Sequence, residues 1–183
     1  FTNDQATTQT LNVTLNNTIV EALVDGSSTA STVALQEILK VTAVDNAAVA
    51  SALNIDARSV TGFHALNVTG TALGNDVLRL DANVGCSAHT AALGASTGDR
   101  VNWTGGSSTT SAVINLATGS SAFTVGVTTT THTTTGVDYL DLTGLTYSTS
   151  TITGPATAAT IVGAAGVDTI TAGAGGARIV AGG

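Results

Sequence analysis

The chain is short of most of what an ordinary enzyme surface carries. Charged residues make up 9% of its 183 positions and aromatics 3%, against a charged share of about 25% in typical globular proteins. Five Lys and Arg stand against twelve Asp and Glu, for a net charge of -7. With no basic stripe there is nothing to neutralise phosphates, so nucleic acid is excluded as a partner, and a polybasic membrane patch with it. Cys86 is the single cysteine, which excludes an intrachain disulfide. Stability in an oxidising compartment then has to come from sheet, metal or neighbouring subunits. No apolar run approaches the roughly 18 residues that cross a bilayer as a helix. The sequence starts at Phe1, contains no methionine and stops at Ala181-Gly182-Gly183. A processed or excised piece of a longer chain is therefore expected, with further repeats or a secretion signal beyond it. The chain is also not a disordered tail, because 43% of it is hydrophobic and its net charge is modest for its length.

What is present is Thr, Ser, Ala and 21 glycines, and among them a recurrent spacing. Gly74-Asn75-Asp76-Val77-Leu78, Gly136-Val137-Asp138-Tyr139-Leu140 and Gly166-Val167-Asp168-Thr169-Ile170 all read G-x-D-x-aliphatic. The last copy continues in a nine-residue frame, Gly163 to Thr171 followed in register by Ala172 to Val180. A glycine turn permits a tight bend, the aspartate in it can ligate a hard cation, and the following aliphatic residue points inward. One such unit cannot bury a core, whereas stacked units can. On these residues the chain resembles the RTX (repeats-in-toxin) family of bacterial exported proteins, and its Thr/Ala/Gly-rich context resembles the S-layer and large-adhesin members. The resemblance implies a calcium-bound parallel β-helix or β-roll. Ala164 stands at one glycine position of the frame, and Ala177 where its next aspartate would be.

Along the chain, Leu11 to Leu15 alternates apolar and polar residues and predicts a strand, with Thr18 to Val24 as its partner. Asp25 to Ser28 reads as a turn. Leu35, Ile38 and Leu39 take helical spacing, predicting a short helix over Thr32 to Lys40. Asp45 is placed to cap a second, alanine-rich helix through Leu53. From Ser59 onward β-branched residues punctuated by Gly and Ser predict strands around Leu66-Val68, Val77-Leu80, Arg100-Trp103, Ala112-Leu116, Phe123-Val127, Tyr139-Leu142, Thr151-Thr153, Thr160-Val162 and Thr169-Thr171. A boundary near residues 56–62 divides a strand/helix module, residues 1–58, from a Gly/Thr-rich β-solenoid with degenerate repeats, residues 59–183.

Asp168, Asp138 and Asp76 are the candidate calcium ligands, since calcium takes six to eight oxygens and glycine turns expose carbonyls. Asp81, Asp99 and Asp141 rank second. The alternative for all of them is that an aspartate in a turn caps backbone N–H groups. Gly94-Ala95-Ser96-Thr97-Gly98 matches G-x-S-x-G, but Asp99 to Trp103 directly after it reads as strand, and a nucleophilic serine needs a histidine and an acid brought to it by the fold. Ser96 is read as a turn residue. Cys86 and His89 have the spacing of two zinc ligands where a structural site needs four. Gly173 to Gly176 lacks the Lys of a phosphate loop. The run Thr128 to Thr135, TTTTHTTT, suits a threonine ladder on a sheet face, an O-glycan carrier, or an ice- or surface-binding face. A solvated strand or loop accounts for it without any ligand.

These readings converge on a mainly β protein: a parallel β-helix or β-roll-like solenoid behind a small N-terminal α/β or helical module. The function expected is structural and not enzymatic. The chain reads as a subunit of an extracellular bacterial surface layer or filament, with copies of itself as partners and calcium fixing the turns. The alternative is a segment of a large adhesin that binds a surface or a cell-surface glycan.

Overall fold

The computed structural model describes residues 2–3, 10–16, 19–24, 31–34, 40–45, 52–59, 65–70, 73–82, 88–106, 110–146 and 149–182. Side chains are described from Ala52 onward, apart from Ser59, Ala65 and Thr110. The regular elements among these residues are strands. They run β1 (Thr2–Asn3), β2 (Thr10–Asn16), β3 (Ile19–Val24), β4 (Ser31–Ala34), β5 (Lys40–Asp45), β6 (Ala52–Ser59), β7 (Ala65–Thr69), β8 (Val77–Asp81) and β9 (Thr90–Ala92). Next come β10 (Arg100–Gly105), β11 (Thr110–Asn115), β12 (Ser120–Val125), β13 (Thr128–Thr135), β14 (Tyr139–Leu145), β15 (Thr149–Thr153), β16 (Ala159–Val162), β17 (Val167–Thr171) and β18 (Ala177–Val180).

The fold is mainly β and its strands form two sheets of nine. The first, sheet A, has the order β1-β5-β7-β9-β13-β12-β11-β15-β17, and the second, sheet B, the order β18-β16-β14-β10-β8-β6-β2-β3-β4. From β5 to β10 the chain alternates between the sheets, each strand pairing in parallel with the one two before it. The alternation resumes from β14 to β18. Between those stretches β11, β12 and β13 form an antiparallel meander inside sheet A, which lies between β9 and β15 in that sheet. At the other end β2, β3 and β4 form a second antiparallel meander.

The strand pattern follows from period-2 alternation. Leu53, Ile55 and Ala57 are buried while Asn54, Asp56 and Arg58 point outward, and Leu78 and Leu80, Val101 and Trp103, and Leu140 and Leu142 repeat this in neighbouring strands. With Leu66, Leu93, Ile114, Phe123, Ile152 and Ile161 from either sheet, these side chains form one apolar core. Trp103 of sheet B meets Phe123 of sheet A with ring centroids 4.6 Å apart.

The helical part of the expected N-terminal module is corrected here. Ser31–Ala34 is strand β4, Lys40 and Asp45 are the end residues of strand β5, and Ala52 and Leu53 lie in strand β6. The rest of the two expected helices, residues 35–39 and 46–51, and the turn at 25–28 lie outside the described residues. Alanine and leucine spacing is a weak local preference. Leu53 to Arg58 also alternates strictly, and parallel pairing of that segment to β2 and β8 buries its apolar half. The expected pairing of Leu11–Leu15 with the following segment is present, antiparallel, as β2 and β3. Both sheets continue across residues 58–59, through β6 to β8 and β5 to β7.

Candidate functional site

At the start of β6, β8 and β10 a backbone N–H needs an acceptor. A carboxylate from the next strand supplies it. Leu53 N–H donates to Asp76 Oδ1 at 2.8 Å, Asp76 N–H to Asp99 Oδ1 at 2.8 Å, and Asp99 N–H to Asp138 Oδ2 at 3.1 Å. Leu53, Asp76 and Asp99 are separated by 23 residues each. From Asp99 to Asp138 the separation is 39, because the meander intervenes. Register continues the column to Ala159, where the carboxylates stop.

Asp76 and Asp99 are buried, at 1% and 0% exposure. Desolvation raises the Asp99 carboxyl above the usual aspartate range, with the Asp138 charge adding to the rise. The N–H of Asp76 and the hydroxyl of Ser96, which donates to Asp99 Oδ1 at 2.8 Å, oppose that shift. Asp99 Oδ2 is buried without a hydrogen-bond partner among the described residues. The glycines of the motif give the column room: Gly136 sits at φ 76°, and a Cβ there would strike the Gly94 carbonyl oxygen.

The structure thus brings Asp76 and Asp138 into one column and places Asp99, ranked second from sequence, between them. Asp168 lies elsewhere. It is inside strand β17 of sheet A, where its Oδ1 accepts the hydroxyl of Ser150 from β15. Among the described residues no three His, Cys, Asp or Glu side chains gather as a metal-ligating group. Asp141 and Asp81 belong to the outer side of β14 and β8; Asp141 Oδ1 accepts from Thr143 N–H at 3.0 Å and its hydroxyl at 2.8 Å. Ser96 faces a carboxylate, not an imidazole. Cys86 lies outside the described residues.

Sequence reasoning missed a second column, on sheet A. Leu66 N–H donates to His89 Nδ1 at 3.1 Å, and His89 N–H to His132 Nδ1 at 3.0 Å. The two rings stack with centroids 4.9 Å apart, and Trp103 packs 5.0 Å from His132. Because each Nδ1 accepts, the proton of each neutral ring sits on Nε2. Burial lowers the His89 pKa to about 4, and burial together with its histidine neighbour lowers that of His132 to about 3. Both Nε2 atoms, Trp103 Nε1 and Ser121 Oγ are buried without a hydrogen-bond partner among the described residues. The signal that could have found both columns is the 23-residue separation, which recurs between Leu66 and His89.

No protein-family model, no curated protein and no solved structure matches this chain.

Proposed function

We propose that the chain is a two-walled parallel β-solenoid that serves as a structural subunit of an extracellular bacterial surface layer or filament of the RTX kind. The 23-residue circuit and the strands that alternate between two sheets support the solenoid reading. The observation that carries assembly is the state of the strands at one end of the stack. β17 and β18 each have one paired neighbour. Val167 is 70% exposed, Ile179 46%, and Ile170 and Ala177 are only partly buried against the core. An edge of unpaired N–H and C=O groups beside uncovered apolar side chains is a template for another strand pair. A second copy that stacks there continues both sheets and the core together.

Calcium is part of this proposal. At the corner column, Asp76, Asp99 and Asp138 each commit one oxygen to a backbone N–H, and a bound cation offsets the repulsion along the row. Backbone carbonyls of the glycine turns supply the remaining oxygens that calcium needs. Asp168, at the uncovered end, offers a carboxylate for an ion between subunits.

The test is light scattering coupled to size-exclusion chromatography, with negative-stain microscopy, in millimolar calcium and then in chelator. Sheets or filaments that dissolve on chelation are expected, with Asp168→Ala weakening them. A monomer indifferent to calcium overturns the reading and moves the adhesin segment ahead of it.

A further inference from the structure

The described outward positions of the two sheets differ sharply. On sheet B the outward positions carry the charges: Asp56 and Arg58, Arg79, Arg100 over the Tyr139 ring at 4.0 Å, Asp141 and Arg178. From β7 to β17 the described outward positions of sheet A carry no charged and no aromatic side chain. A face kept merely soluble is ordinarily studded with charge. The chain has a net charge of -7 and spends none of it here.

Threonine takes its place. Register aligns Thr131, Ala122, Val113, Thr151 and Thr169 in one row across β13, β12, β11, β15 and β17. One pleat to either side run two more rows, from Thr129 to Val167 and from Thr133 to Thr171, each made of Thr and Ser with one other residue. None of the positions in the three rows is buried, and the residues between them, among them Phe123, Ile114 and Ile152, fill the core. The pairings through these five strands carry no register shift. The rows therefore form a lattice, about 4.8 Å between strands and roughly 6.6 Å between successive outward residues along a strand.

We propose that this outer face of sheet A binds ice. Its spacing between strands lies close to the shorter oxygen repeat across the prism faces of hexagonal ice. Each hydroxyl both donates and accepts, so it can stand in for a lattice water or hold one. Threonine is stiff at χ1, so little rotamer freedom is lost on adsorption. Cross-strand contacts such as that between the Thr124 and Thr129 hydroxyls, 2.8 Å apart, hold the array further. Charge is excluded because a charged group keeps a hydration shell that does not match the crystal. Two other occupants fit less well. A polysaccharide stacks its rings on aromatics, and this face has none. A second copy laid face to face needs apolar area, and beyond Val113 and Val167, which are 54% and 70% exposed, the rows offer chiefly hydroxyls. Adsorption needs no subunit assembly, so this proposal stands apart from the one above.

The experiment is slow growth of ice from a dilute solution of the full chain, with the protein measured in ice and liquid and recrystallisation followed in parallel. Enrichment in ice is expected, and its loss in Thr151→Lys or Val113→Lys, whose long charged side chains lift the rows off the crystal. Thr143→Lys, on the outer side of sheet B, leaves enrichment unchanged. Circular dichroism and an unaltered urea midpoint confirm that each variant folds. Exclusion of the wild-type chain from ice overturns the proposal, as does full enrichment of both sheet A variants. Binding to crystalline cellulose or chitin by a chain that ice excludes replaces it with a glycan face.

Discussion

At the scale of the residue, the aspartates of the glycine turns act first as hydrogen-bond acceptors. Asp99 shows the balance. Its Oδ1 receives the Asp76 N–H and the Ser96 hydroxyl, while its other oxygen has only desolvation to set against them. Asp99→Ala removes both bonds and leaves a buried N–H unsatisfied, a cost of about 1–3 kcal/mol. Asp99→Asn keeps an acceptor and removes a charge that burial disfavours, so it is expected to match or exceed wild-type stability at neutral pH in the absence of calcium. Urea unfolding of the two variants in chelator checks the order. Equal losses for both would mean that the charge, not the hydrogen bonds, is what the site holds.

At the scale of the element, β9 and β13 are locked by the histidine column. Their folded pKa values, about 4 and about 3, lie below the ordinary 6.5. The unfolded chain therefore takes up protons first as pH falls. The stability these rings provide is complete above pH 6.5 and is lost between there and pH 4 to 3. At pH 4 the loss is about 3 kcal/mol per histidine. Urea midpoints between pH 7 and pH 4 should fall steeply for the wild type and much less for a His89→Gln/His132→Gln double variant. A parallel fall in both would assign acid sensitivity to another group. Protonated rings also cannot accept at Nδ1, so acid opens the same two N–H bonds that align β7, β9 and β13.

At the scale of the whole molecule, the sheets are joined by side chains that reach between them, above all Trp103 of β10 against Phe123 of β12 and His132 of β13. Trp103 is fully buried. Trp103→Ala is expected to cost about 3–5 kcal/mol, read as a lowered urea midpoint in a single transition of both far-ultraviolet signal and tyrosine fluorescence. Two separated transitions would mean that the sheets unfold independently.

Much of the strand pattern was legible in the residues alone, because alternation such as Leu11-Asn12-Val13-Thr14-Leu15, found as β2, has one face to bury and a strand buries it. The strands from β7 to β17 that were expected from β-branched runs lie where expected, within three residues at their ends. The turn glycines and the acidic character of their aspartates were likewise legible, because both are chemical properties of single residues. What the sequence could not supply was which strand pairs with which. The nine-residue frame at the C-terminal end is the more conspicuous repeat, while the 23-residue separation of Leu53, Asp76 and Asp99 is marked by a single position each time. The meander then breaks its spacing. Only the tertiary structure put Asp99 between Asp76 and Asp138 and set Asp168 apart. It alone stacked His89 on His132, and gathered the threonines of five strands on one uncharged face. Those placements are set by parallel pairing between residues far apart in the chain. Local pattern fixes which side of a strand is buried, but register between strands is decided by the packing of the whole core.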